Sequence, residues 1–353
     1  MRDTGPPLGV ALLGCGRIAR RFHLPLLARM PSIGLRLVAE PDAAVHQAVR
    51  SIAPGATVLS DWKDALAGPG VQAVVIALPT ALHAPAACAA FEAGLAVYLE
   101  KPIATTRAEA DQVVAAWRAS GRIGMLGFNA RFDPAVIALR RAMAEGRAGR
   151  VIGARLAIGG GAEALPGWKQ SRATGGGVVL DLGGHAVDLA RLLFGQEIAS
   201  VTATVSTTRA EDDTACLTLK LTGGALVQAF VNLAGVQESV IEIVGDGGVL
   251  VADRSAGTVV RRPPRPAYGR FEQLRRLVAT TGAAARNARG IVRPFDDAAS
   301  FRAALTAFVA AVKGEPLEGA DIEEGHRNLT ILLAAEASAR VTSPRPPPHS
   351  RPR

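Results

Sequence analysis

The sequence predicts an α/β protein of two domains, the first built on a parallel sheet. Three observations carry that prediction. From residue 9 to residue 128 short apolar runs alternate with helical patterns, as in strands joined by crossover helices. Between residues 199 and 252 strand-like segments follow one another, and several alternate apolar and polar side chains. The length, 353 residues, suits two units of roughly 150 residues each.

Composition narrows the function classes. Hydrophobic residues make up 49% of the chain and charged residues 20%, enough for large cores. The net charge of +9 raises nucleic acid as a partner. Scattered arginines, 4% aromatic residues and the lack of a recognition motif argue against it, whereas phosphate-bearing small molecules suit a basic surface. Cys15, Cys88 and Cys216 are odd in number and far apart. They make neither a disulfide framework nor a paired metal site, and a cytoplasmic setting is expected. No apolar run is long enough for a membrane span, and the glycine loop comes too early to leave room for a leader peptide.

Gly9-Val10-Ala11-Leu12-Leu13 reads as the first strand. Gly14-Cys15-Gly16-Arg17-Ile18-Ala19 follows, a G-x-G-x-x-A, and a helix is predicted from about Arg17 to Met30. Strand, glycine turn and helix stand in the order a dinucleotide site needs. Gly14 permits the tight turn, Gly16 lets the backbone approach a pyrophosphate, and Ala19 allows close helix–strand packing. The helix N-terminus offers N–H groups to the phosphates. A purely structural glycine turn is the competing reading.

Leu35 to Ala39 reads as the second strand, ending at Glu40, where the ribose 2′-hydroxyl is held in such sites. A carboxylate there repels a 2′-phosphate, so NAD is favoured, with NADP as the alternative. Asp42 competes with Glu40 for this role. A short third strand at Val58-Leu59 and a helix from Asp61 to Ala67 follow. Val71 to Leu78 is a continuous apolar run, as parallel sheets show. Pro79-Thr80-Ala81-Leu82-His83 leaves its edge, and His83 either contacts cofactor or caps the helix Ala84 to Ala93. Ala96 to Leu99 is the next strand, halted by Glu100-Lys101-Pro102. Proline cannot extend the ladder, so Lys101 sits at the strand's C-terminal edge, where ligands bind in open α/β sheets. The competing reading is a surface charge pair. A helix from Arg107 to Ser120 and a strand at Met125 to Phe128 lead to Asn129-Ala130-Arg131-Phe132.

These residues resemble the Gfo/Idh/MocA family of oxidoreductases, through G-x-G-x-x-A at 14–19, A-L-P-T-x-L-H at 77–83, E-K-P at 100–102 and G-F-N-x-R-F at 127–132. The family often has Asn where this chain has Thr80; either donates a hydrogen bond. The resemblance implies a Rossmann dinucleotide-binding domain over residues 1–128. A substrate-binding and oligomerisation domain over 129–342, with a large, open, mostly antiparallel sheet, follows it. It also implies a cis Lys101–Pro102 bond. The expected cofactor contacts are Gly14, Gly16, Arg17, Ile18, Glu40, Leu78, Pro79, Thr80, His83, Glu100, Lys101 and Asn129.

In the second half a helix from Pro134 to Glu145 and a strand from Val151 to Ile158 precede Trp168-Lys169 and a glycine run. If Gly177 onward is helical, Asp181 and His185 are i and i+4 and share a face, with Asp188 near it. A carboxylate one turn from an imidazole orients it and raises its pKa, which suits acid/base work. A structural pair and a metal site without an evident third ligand are the other readings. The resemblance assigns Lys101, Asp181 and His185 as a catalytic triplet, with no metal. Arg131, Trp168 and Lys169 are candidates for the substrate pocket wall, each with a structural alternative.

Strands are predicted at 199–206, 215–221, 225–233, 240–244 and 249–252. The open sheet face they form suggests a homodimer or homotetramer. Residues 262–295 read as a solvated basic insertion with a helix from Phe271 to Ala288. Amphipathic helices at 300–313 and 323–340 follow, and 343–353 reads as a disordered tail. The expected reaction is hydride transfer between nicotinamide and a secondary alcohol or ketone of a sugar or cyclitol. The alternatives are a dihydrodiol or an imine or double-bond oxidoreductase, and a dinucleotide-binding regulator without turnover.

Overall fold

The computed structural model describes residues 5–160, 165–174, 176–264 and 298–342. Two seven-stranded sheets organise it. The first contains β1 (Leu8–Leu13), β2 (Ile33–Ala39), β3 (Thr57–Leu59), β4 (Ala73–Ile76), β5 (Ala96–Leu99), β6 (Gly124–Leu126) and β14 (Ala320–Asp321). Its order is β3-β2-β1-β4-β5-β6-β14, parallel except for β14. The strand order reverses between β1 and β4, the place where open α/β sheets hold ligands. Register puts Leu13 opposite both Ala39 and Ile76, and Ile76 opposite Leu99. The loops that begin at Gly14, Glu40, Ala77 and Glu100 therefore leave the sheet side by side.

β4 and β5 are buried along their whole length, which explains their unbroken apolar runs. The connecting helices are α1 (Leu24–Arg29), α2 (Ala43–Ile52), α3 (Trp62–Leu66), α4 (His83–Glu92) and α5 (Arg107–Ser120). Asp42 caps α2 by accepting from the Ala44 amide at 2.9 Å. A capping box between Thr106 and Glu109 starts α5, and Gly121 in the left-handed region ends it. The helix expected from Arg17 runs without a break to Arg29, with a π-turn at Ala19–His23 leading into α1.

The second sheet contains β7 (Val151–Gly160), β8 (Ile198–Ser206), β9 (Thr214–Leu221), β10 (Leu226–Asn232), β11 (Gln237–Gly245), β12 (Gly248–Asp253) and β13 (Thr258–Arg262). Its order is β13-β12-β11-β7-β10-β9-β8, antiparallel except for the β7–β10 pair. Along β9 and β10 every other side chain is buried, as their alternating sequences require. The buried face meets α7 (Val178–Phe194) and α9 (Ile322–Thr342) through Leu217, Leu219, Val227, Val187 and Leu332. α6 (Pro134–Ala144) packs at the β12 end.

One division differs from the sequence reading. α8 (Ala298–Val312), assigned by position to the second domain, packs on the first. Its Phe301, Leu305 and Phe308 join a core with Val10, Leu12, Tyr98 and Met125. Amphipathicity told that α8 has a buried face but not which sheet receives it. The edge pairing of β14 with β6 follows from this return, and neither β13 nor β14 was expected. The helix expected at Phe271 to Ala288 and the tail at 343–353 lie outside the described residues.

Candidate active site

A cleft of about 750 Å³ opens where the strand order of the first sheet reverses. Its first wall is the loop from Gly14 to Ile18, then Glu40, the corner Leu78-Pro79-Thr80, and Glu100 with Lys101. Trp168, Lys169, Gly177, Asp181 and Leu233 face them from the second domain.

The glycine loop has a separate reason at each glycine. Gly14 has φ +87°, and a Cβ on it would lie 2.7 Å from the Ala77 carbonyl oxygen. No side chain fits that turn. A Cβ on Gly16 would meet no atom of the chain within 4 Å, so the space beside it is open to whatever occupies the cleft. Glu40 is 9% exposed and accepts from the Cys15 amide at 2.8 Å through Oε2 and from the Asp42 amide at 2.9 Å through Oε1. Each carboxylate oxygen has a second lone pair for a ribose hydroxyl. Open space at Gly16 and an anchored acid at Glu40 fit a dinucleotide. Burial and the Glu40 charge push the Cys15 thiol up to about 11, so it stays protonated beside the phosphate loop.

Across the cleft one carboxylate holds two ammonium groups. Lys101 Nζ donates to Asp181 Oδ1 at 2.5 Å and to the Asp181 carbonyl oxygen at 3.0 Å. Lys169 Nζ donates to Asp181 Oδ2 at 2.5 Å and lies 5.4 Å from the centre of the Trp168 ring. Burial pushes the Asp181 carboxyl up, but Lys101 and Lys169 outweigh it and hold the group well below the usual carboxylate range. The sequence separation of 80 between Lys101 and Asp181 is closed by the strand edge of one domain and the first turn of α7 in the other.

His185 differs from the sequence reading. Asp181 gives both its oxygens to lysines and none to the imidazole. His185 lies one turn further along α7, outside the cleft lining, edge-on to Phe128 with ring centres 6.5 Å apart. Its Nδ1 is buried without a hydrogen-bond partner among the described residues. Burial lowers its pKa well below 6.5, Lys101, Arg254 and Lys169 lower it further, and Asp181 opposes them. The helical spacing is right, but the expected upward shift is reversed by desolvation and three nearby cations.

Four other candidates have their polar groups engaged by the chain itself. Arg131 donates to both Asp188 oxygens at 2.6–3.0 Å and to both Glu324 oxygens at 2.9 and 3.2 Å. It belongs to a buried ion cluster, not to the cleft wall. Asp188 is thereby spent on Arg131 and does not join Asp181 and His185. Asn129 donates through Nδ2 to Ser300 Oγ at 3.0 Å, which fastens the turn after β6 to α8. His83 lines the cleft but does not cap α4: its ring nitrogens face the Pro102 and Leu78 carbonyl oxygens.

Sequence reasoning missed His23 as a neighbour of the site. It is wholly buried, and its Nε2 donates to Glu100 Oε1 at 2.7 Å. That bond joins the segment after the glycine loop to the strand end that carries Lys101. Its signal was a titratable residue on the apolar stripe of Ala19, Phe22 and Leu26. Ser60, Asp61 and Trp62 also line the cleft, placed there by the parallel pairing of β2 with β3. Among the described residues no helix is long and apolar enough to cross a membrane, and no group of three or more His, Cys, Asp or Glu could hold a metal.

A glycine turn, an anchored acid and a strand-edge lysine at one cleft define a dinucleotide-binding oxidoreductase. Residues 8–128 match the sequence profile of the oxidoreductase family with an NAD-binding Rossmann fold. Residues 136–251 match that of the GFO/IDH/MocA C-terminal domain. The chain belongs to the GFO/IDH/MocA oxidoreductase family, and its cofactor is NAD. It is 32% identical to inositol 2-dehydrogenase 2 of Saccharopolyspora erythraea, over 96% of this chain and 95% of that protein. Among solved structures it is similar to GenD2 from gentamicin A biosynthesis in complex with NAD. The TM-score there is 0.76 and the identity 27%, over 96% of this chain and 95% of that one. The WlbA dehydrogenase of Bordetella pertussis, in complex with NADH and UDP-GlcNAcA, shares the fold at a TM-score of 0.78 and 23% identity, over 96% and 97%.

Proposed function

We propose that this protein is an NAD-dependent dehydrogenase of a cyclitol or sugar, acting on a secondary alcohol or its ketone, with Lys101, Asp181 and His185 as its catalytic residues. The observation that carries the proposal is Lys101 at the strand edge, bonded to Asp181 across the cleft that the glycine loop borders. The full-length likeness to an inositol 2-dehydrogenase supports the substrate class. NAD, when bound, accepts or returns the hydride.

The chain's own groups handle position and the proton. Lys101 Nζ leaves Asp181 and donates to the reacting oxygen, where it offsets developing negative charge. Lys169 stays on Asp181, so the buried carboxylate keeps one cation when the other turns to substrate. His185, one turn beyond Asp181 on α7 and behind the residues that line the cleft, is assigned the hydroxyl proton in oxidation and its return in reduction, as the family resemblance implies. A regulator without turnover needs Gly14, Gly16 and Glu40 but has no use for this cluster, which favours the enzyme. The exposed outer face of the second sheet, with Leu226 and Phe230, supports a homodimer or homotetramer. Three free cysteines support a cytoplasmic setting.

Incubation with NAD and a set of cyclic polyols and hexoses is expected to form NADH with at least one of them. Tight NAD binding with no NADH from any would favour the regulator. The acid limb of the oxidation rate tests His185. A base acts when neutral, and a lowered pKa keeps His185 neutral down through pH 6.5. The acid-side fall in kcat/KM is therefore expected below pH 6.5; a fall centred above 6.5 would remove His185 as the base.

A further inference from the structure

We propose that His83 is a positioning residue for the reaction, tying the cofactor corner after β4 to the Lys101–Pro102 corner after β5. The proposal rests on the assignment of Lys101 above. His83 is the first residue of α4 and is 2% exposed. Its Nδ1 lies 2.6 Å from the Pro102 carbonyl oxygen and its Nε2 lies 2.9 Å from the Leu78 carbonyl oxygen. Leu78 borders the cleft, and Pro102 follows Lys101 directly.

The place of this tie matters. β4 and β5 are paired up to Ile76 and Leu99, and the Glu100 amide bond to the Ile76 carbonyl is their last backbone link among the described residues. Beyond it the His83 side chain contacts both corners. A carbonyl only accepts, so each contact needs an N–H from the ring. Burial lowers the pKa of His83, while the two carbonyls and Glu100 raise it. With an N–H at both nitrogens the ring donates to both corners, and with one N–H it donates to one of them. The tie is specific in shape and adjustable in strength. A shift of about 1 Å at a reacting group costs on the order of a hundredfold in rate.

Three variants of the full chain separate the roles. His83→Asn keeps an amide nitrogen near the place of Nδ1 and can donate to Pro102. His83→Gln keeps one near Nε2 and can donate to Leu78. His83→Ala keeps neither. The expected result for His83→Ala is a fall in kcat of roughly 30- to 100-fold, with KM for NAD changed less than about threefold. His83→Asn should recover most of that loss and His83→Gln little, because Pro102 is the corner beside Lys101. Crystal structures of the variants give a readout without turnover. The Lys101 ammonium should be displaced from Asp181 in His83→Ala and His83→Gln and restored in His83→Asn. Equal behaviour of the Asn and Gln variants would overturn the proposal. So would an Ala variant that loses thermal stability but keeps kcat and the Lys101–Asp181 contact. If the wild type oxidises no polyol, the reaction assigned above fails, and the crystal structures still decide whether His83 sets Lys101. If the Ala variant does not fold, the Asn and Gln pair decides.

Discussion

Lys101→Met should lower kcat by about a thousandfold, the scale expected when a single charge-stabilising donor is removed from a reacting oxygen. Methionine keeps much of the apolar stem and removes the ammonium, so the change is chemical more than steric. The fold should tolerate it. Asp181 would lose one of two cations but keep Lys169 at 2.5 Å, so its buried charge is not left alone. Thermal unfolding should therefore shift little, and NAD affinity should change only a few fold. Steady-state kinetics and a cofactor titration on the same preparation check both halves. Full activity in Lys101→Met would remove Lys101 from the reaction. A collapse of stability would mean that its ion pair with Asp181 is structural.

Arg131→Leu should have the opposite profile, costing about 3–5 kcal/mol of stability, the usual result of stripping one partner from a buried ion pair. Arg131 is 10% exposed at its side chain, Asp188 1%, and the two meet through a forked pair of bonds. Without the guanidinium, Asp188 retains only Asn328 Nδ2 at 3.1 Å among the bonds described. Burial already pushes the Asp188 carboxyl up although Arg131 opposes it, so losing Arg131 would drive it to take a proton. The cluster joins the turn Asn129–Phe132, α7 and α9, so activity should fall with stability. Chemical unfolding of Arg131→Leu and of the double variant Arg131→Leu, Asp188→Leu checks the cause. The double variant should regain much of the loss, since an apolar pair replaces a buried charge. A single variant as stable as wild type would show that the cluster is dispensable.

Legibility in the sequence followed the physics of each signal. Helix and strand periods are local, so β1, β4, β5 and the helix bearing Asp181 could be read from residues near in sequence. The glycine loop was equally legible, because the positive φ and close backbone contact at Gly14 demand glycine. Lys101 stood out by the proline after it. What failed was pairing over long separations. Arg131 has the composition of a pocket wall, yet two carboxylates from α7 and α9 claim it. The same holds for His23 and Glu100, 77 residues apart, and for α8, whose apolar stripe does not name its partner sheet. His185 failed in a second way. Its spacing to Asp181 suggested a partner that raises its pKa, but burial and neighbouring cations set the sign. Such terms depend on the assembled interior and not on spacing along one helix.

The most direct test of hydride transfer in this cleft uses the best polyol of the substrate set, labelled with deuterium on its reacting carbon. The full chain is incubated with it and NAD, and the mass of the reduced cofactor is measured. Direct transfer predicts NADH that carries the deuterium, with none released to water. NADH formed without the label, and deuterium recovered in the solvent, would contradict it.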